Sequence, residues 1–368
     1  MINATDTTDD ADADTAGDVT VKGNVTSTAK DVSITSTRGT INIGDVTTSS
    51  TITGNTTTTI QTNASGAINL YGTATSHDST KLQARDAIAV TGSVTTTGTP
   101  ATGASGDVSI TTTNSAITLN KNSSGADVIS TSDATTGHGG VTISSGSGAT
   151  TINGNITAKG QLDIGTTYGA ITVGDTENAY TLSGSSTNIH TSTGDINIYG
   201  TATSSGATTL ENSSSGTITV VGAVTSTGET DGSNVSITTN NQAISLSQAT
   251  AGDAKKGNVT VSSGKADTTI KGNADVAGAL QVSTTTGAIN VGENAAKSAY
   301  TLKGNTVALN STTGGINLYG LATSESSTLL QTTTGNISVY GGLKTTKDDT
   351  NDVQVLTANG DISLKTRT

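Results

Sequence analysis

The chain has 368 residues and a formal net charge of −12, with no Cys, no Trp, no Phe and a single Pro. Aromatic residues make up 2% of it and charged residues 12%, while Gly fills 45 positions. This balance excludes a roughly spherical core packed with bulky side chains, a nucleic-acid surface of clustered Lys and Arg, and any run near the ~18 apolar residues of a membrane span.

The chain opens on acid. The stretch DTTDDADADTAGD (6–18) holds six acids and no base, and residues 1–16 read as an acidic, flexible arm. Asp9, Asp10, Asp12 and Asp14 are oxygen ligands of the kind Ca2+ takes, but neither an EF-hand loop nor a Gly-Gly-x-Gly-x-Asp nonapeptide spaces them. No metal or other cofactor is expected. MINATDTTDD lacks the basic start and apolar centre of a secretory signal. The sequence is therefore expected to be an internal piece behind an added Met, or to be exported by a signal elsewhere.

From residue 17 onward one phrase recurs. It reads VSITSTRGTINI at 32–43, LDIGTTYGAITV at 162–173, NIHTSTGDINI at 188–198, LQVSTTTGAINV at 280–291 and VALNSTTGGINL at 307–318. Each copy is apolar-x-apolar, then a short run of Ser, Thr or Asn, then Gly-x-Ile-x-apolar. Within each pair the period is two, so both side chains share a face. Leu280 with Val282 and Ile289 with Val291 should be two inward pairs of one coil. Gly precedes the second pair at Gly39, Gly66, Gly169, Gly194, Gly216, Gly287, Gly314, Gly335 and Gly360. A Gly fixed in a corner marks positive φ or close backbone approach. Asp86, Ser115 and Gln242 stand near that place in three copies, whose corners should be shaped differently. A third, more variable segment follows each phrase, as in GNITAKG (154–160) and AYTLKGN (299–305). The phrase returns about every 20–28 residues, giving about fifteen units.

A longer period lies over the short one. AINLYGTATS (67–76), DINIYGTATS (195–204) and GINLYGLATS (315–324) stand about 120–130 residues apart, and TTINGN (150–155) answers TTIKGN (268–273) at the same interval. Residues 17–368 thus form nearly three copies of a five-unit block. A unit this short cannot bury its own apolar face, but stacked units share a continuous core. The expected fold is all-β: one continuous right-handed parallel β-helix, each unit a coil, with coils about 4.8 Å apart and the whole on the order of 70 Å long. Ile, Val, Leu and Ala should line the inside, with Thr, Ser and Asn outside. A helical fold fails for want of a 3.6 period. An Ig-like sandwich fails for want of longer strands, turn Pro and a Trp or Tyr core.

GALQVSTTTGAINVG, GQLDIGTTYGAITVG and GNVTVSSGKADTTIKGN resemble coils of filamentous-haemagglutinin-like proteins, large exported surface adhesins of Gram-negative bacteria. The resemblance spans residues 17–366. It implies an extracellular or cell-surface location and a β-helical shaft that holds an adhesive part away from the cell. The partners it implies are adjacent β-helical segments, copies of itself, and surface glycans or proteins. Nucleic acid and membrane insertion of this segment are not expected.

Four tyrosines, Tyr71, Tyr199, Tyr319 and Tyr340, follow an apolar pair and should point outward, where they can stack on sugars or proteins. The competing reading has each cover a corner or a neighbouring coil. Sequons such as Asn24, Asn55, Asn155 and Asn336 are frequent, as chance dictates in so Asn-, Ser- and Thr-rich a chain. His190, Ser192 and Asp195 make a tempting cluster without an oxyanion hole. A polysaccharide-cleaving β-helix needs a groove gathering carboxylates with a base, and no coil does so. The chain is expected to be non-catalytic: a structural shaft of an adhesin or matrix fibre, with an end-to-end filament subunit, joined through exposed coil edges, as the alternative.

Overall fold

Apolar pairs at period two, broken by polar corners, become strands of two to twelve residues, and no helix occurs among the described residues. The structure is a computed structural model and describes residues 2–4, 17–98, 106–122, 127–132, 138–228, 232–251, 257–293, 300–347 and 352–365. The chain divides into two units, residues 1–186 and 187–368. Each is a parallel β-solenoid whose turns lay one strand on each of three walls.

In the first unit, one turn places Val32–Ser36 on the first wall, Ile41–Ile43 on the second and Ser50–Gly54 on the third. The next turn stacks on it in parallel register, with Ile34 opposite Ile60, Ile41 opposite Ile68 and Ile52 opposite Ala74. The second unit repeats the scheme. Leu280 lies opposite Val307, Ile289 opposite Ile316 and Leu302 opposite Ala322. Turns in which all three strands have described side chains number about 13, six in the first unit and seven in the second. That is slightly fewer than the phrase count. A phrase needs two strands, whereas a turn needs three, and the phrase at 353–364 makes only Val353–Thr357 and Ile362–Leu364. Within the arm read at 1–16, Ile2–Ala4 form a strand paired with Val32–Ser36. Asp9, Asp10, Asp12 and Asp14 lie outside the described residues.

Alternation sends every second side chain inward. Leu280, Val282, Ile289 and Val291 are all fully buried, and each such side chain contributes about 1.5–3 kcal/mol of hydrophobic stabilisation. The third wall mixes sizes, with Ile52, Val94, Ile156 and Leu182 beside Ala74 in the first unit and Leu302 beside Ala202, Ala249 and Ala322 in the second.

The interior is less purely aliphatic than expected. Thr58, Thr80, Thr208 and Thr328 take the first inward place on the first wall, and Thr150 and Thr268 stand among isoleucines on the second. The reason is geometric. Backbone groups near the corners need partners, and the inward hydroxyls of Thr58, Thr80 and Thr208 donate to the carbonyls of Thr75, Thr95 and Thr225 on the third wall.

Candidate functional site

The corner between the first and second walls carries two stacked columns, one of hydroxyls and one of glycines. In the first unit, Ser36 Oγ accepts the Gly39 N–H at 2.8 Å and donates to the Gly17 carbonyl, one turn earlier, at 2.7 Å. In the second unit, Thr284 Oγ1 accepts the Gly287 N–H at 3.2 Å and donates to the carbonyls of Gly264 and Ala266 at 3.0 Å. Ser311 continues the column to the Gly287 carbonyl at 3.0 Å. Ser36 and Thr284 therefore close their own corners and tie them to the turn before, and Ser311 ties its corner to the turn before.

The glycines sit where one corner rides on the previous one. A Cβ at Gly66, Gly169, Gly216, Gly287, Gly314, Gly335 or Gly360 would overlap the carbonyl of the equivalent corner one turn earlier, and at Gly39 it would overlap the Asp18 amide. Gly194 supplies the carbonyl beneath Gly216, which also accepts Asn212 Nδ2 at 2.6 Å. Close approach is thus the reason for the Gly; of this set only Gly66, at φ 107°, is also left-handed. Of the three departures, Asp86 sits in a corner of three residues and turns its Oδ2 to the Gly66 N–H at 2.7 Å. Ser115 and Gln242 keep the usual corner, their carbonyls accepting Thr112 Oγ1 and Thr239 Oγ1; the differently shaped corner expected there does not occur, because the hydroxyl closure survives without the Gly.

A second glycine column escaped sequence reasoning. Gly72 and Gly92, at φ 134° and 148°, turn the chain from the second wall to the third in the first unit, and Gly222, Gly320 and Gly341 crowd the preceding turn in the second. Its signal was the Gly of LYG, SVYG and VVG. Longer loops open at this same edge of the first unit, at 44–49 and 174–180. Each begins with a left-handed glycine, Gly44 or Gly174, followed by an aspartate. Asp45 Oδ1 accepts the Thr47 hydroxyl and the N–H groups of Thr47 and Thr48, which hold its carboxyl below the ordinary value of 3.8. Asp175 does the same with the N–H groups of Glu177 and Asn178. The five-unit period read from the sequence surfaces here as the spacing of the two loops.

Outside, Asn and Asp reach along the axis. Asn24 Oδ1 accepts the Thr51 N–H at 2.9 Å and Asn155 Oδ1 the Thr181 N–H at 2.9 Å in the first unit, as Asn336 Oδ1 accepts the Asp361 N–H at 2.8 Å in the second. These sequon asparagines act as pegs between turns. Amide pairs, Asn42 with Asn69 and Asn290 with Asn317, each at 2.9 Å, run along the second wall.

Tyr71, Tyr199, Tyr319 and Tyr340 are all half-buried. Tyr319 and Tyr340 stack with ring centroids 4.6 Å apart and planes 14° from parallel, and Lys365 Nζ lies 4.7 Å from the Tyr340 centroid. Burial first, then the neighbouring Tyr340, raises the Tyr319 phenol above its ordinary value of 10.0. Tyr71 is followed in register by Thr91, so no aromatic stack forms there. Tyr180, not singled out from sequence, is 9% exposed with Lys121 Nζ 5.1 Å from its ring centroid.

Of the His190, Ser192 and Asp195 cluster, Asp195 Oδ1 accepts the Thr217 N–H at 2.7 Å and the Thr217 hydroxyl at 3.0 Å. His77 Nδ1 pairs with Asp78 Oδ1 at 2.8 Å. Among the described residues no three acidic or His side chains gather as a metal site.

No protein-family model, no curated protein and no solved structure matches this chain. The fold defines its class: a three-walled parallel β-solenoid repeat protein.

Proposed function

We propose that the protein is a non-catalytic structural shaft, a segment of an extracellular bacterial adhesin or matrix fibre that works in cell-surface, cell-cell or biofilm attachment. The observation that carries this reading is the redundancy of the bonds between turns. Successive turns share strand ladders on three walls, a buried hydroxyl bridge at one corner, and Asn or Asp pegs outside. Such a stack resists extension through nearest-neighbour contacts, and its Thr-, Ser- and Asn-rich outside keeps it from clumping. Antibody against this chain should label intact cells of the source organism without permeabilisation. Labelling that appears only after lysis would overturn the extracellular reading.

The end-to-end filament remains a second reading, favoured by one observation. The strands Val353–Thr357 and Ile362–Leu364 expose Val353, Leu356, Ile362 and Leu364 at 42%, 45%, 45% and 65%. A further solenoid turn, whether it continues this chain or comes from another copy, would cover the inward Val353, Ile362 and Leu364. Filaments that lengthen with protein concentration in negative stain, and that Leu364→Asp abolishes, are its expected result. Monodisperse particles at every concentration would sink it.

A further inference from the structure

We propose that the outer face of the first wall in the second unit carries a binding groove for a neutral oligosaccharide. The groove holds about 450 Å3 and crosses four consecutive turns, a run of roughly 14 Å at the spacing of parallel strands. It arises from a change of side-chain size along one outward column. Ser262 is followed in register by Ser283, then Asn310, then Gln331. The two serines leave a recess and the two amides wall its far end. Leu329, an outward-facing leucine stacked on Ala308, forms one side, and Thr312 lies at the corner on the other.

Two observations point to a ligand and to its chemistry. Asn310 Oδ1 is sealed from solvent yet accepts no hydrogen bond. One wall away, Asn317 finds Asn290 directly beneath it and pairs at 2.9 Å. Asn310 has Ser283 beneath it instead, too short to reach, and its acceptor stays empty. A buried acceptor without a donor is a strained state that an incoming hydroxyl relieves, once the exposed Gln331 side chain on the next turn swings aside. The lining holds no charged side chain. Hydroxyls and amides beside one apolar side chain match a sugar, whose hydroxyls need both donors and acceptors and whose C–H face packs on Leu329. The chain's net charge of −12 disfavours an acidic glycan.

The groove does not rest on the shaft reading, because it binds wherever the protein is located. The test is saturation-transfer NMR on the full chain with cellohexaose, maltohexaose and mannohexaose, and with a sulfated hexasaccharide as the anionic control. At least one neutral hexasaccharide should receive saturation, with affinity reduced tenfold or more in Ser283→Tyr, which fills the recess. Asn310→Ala, which removes only the carboxamide, should weaken it similarly and serves alone if the tyrosine variant melts early. No transfer to any neutral hexasaccharide, equal transfer in the variants, or a preference for the sulfated sugar would each overturn the proposal.

Discussion

Thr150 and Thr268 occupy the same place in successive blocks, each a threonine in a column of isoleucines. Their hydroxyls fare differently. Thr150 Oγ1 donates to Ser145 Oγ at 3.0 Å, whereas Thr268 Oγ1 is buried with no partner. A buried hydroxyl without a bond destabilises by about 1–3 kcal/mol, and valine has nearly the same shape. Thr268→Val should therefore raise the urea midpoint, by about 1 kcal/mol of stability, while Thr150→Val should lower it. Equal shifts in both would show that the difference in bonding carries no weight. Tyr319 offers a second test. The native state keeps its phenol neutral more firmly than the unfolded chain does, so stability is unaffected below pH 10.0 and falls as pH rises above it. Tyr340→Phe removes the neighbouring phenol and should bring the ionisation of Tyr319 back toward 10.0 in an ultraviolet titration.

A turn depends on its corners more than on any one strand. At Gly314 an added methyl would overlap the Gly287 carbonyl, while at Gly23 it would meet nothing within 4 Å. Gly314→Ala should cost at least about 2 kcal/mol, and Gly23→Ala should leave the thermal melt within about 0.5 kcal/mol of the parent. Comparable losses at both would mean that backbone entropy, rather than corner stacking, explains the glycines. The strands of the first two walls were legible because Ile, Val and Leu alternate strictly with polar residues, as in Ile289–Val291. The third wall was only half legible. Its inward residue is often Ala, flanked by threonine as at Thr73 and Thr75, which leaves little contrast between the two faces. The hydroxyl column was hidden for a related reason. Thr284 at the inner corner and Thr286 outside it are the same residue type, and only the fold tells them apart.

Across the molecule, the block period was readable, and the structure adds that Gly44-Asp45 and Gly174-Asp175 open equivalent loops in the first unit. The groove at Asn310 was not readable, because a recess depends on which side chains become neighbours one turn apart, and that register is set only when the coils stack. On the shaft reading proposed above, load would pass from turn to turn through the bonds that stack them. Single-molecule pulling from the two ends of the chain tests this most directly. Turns of about 20–28 residues should open one or a few at a time, each releasing roughly 70–100 Å of chain, at forces that Gly314→Ala lowers. Extension in one featureless event at low force, unchanged by that substitution, would contradict a load-bearing stack.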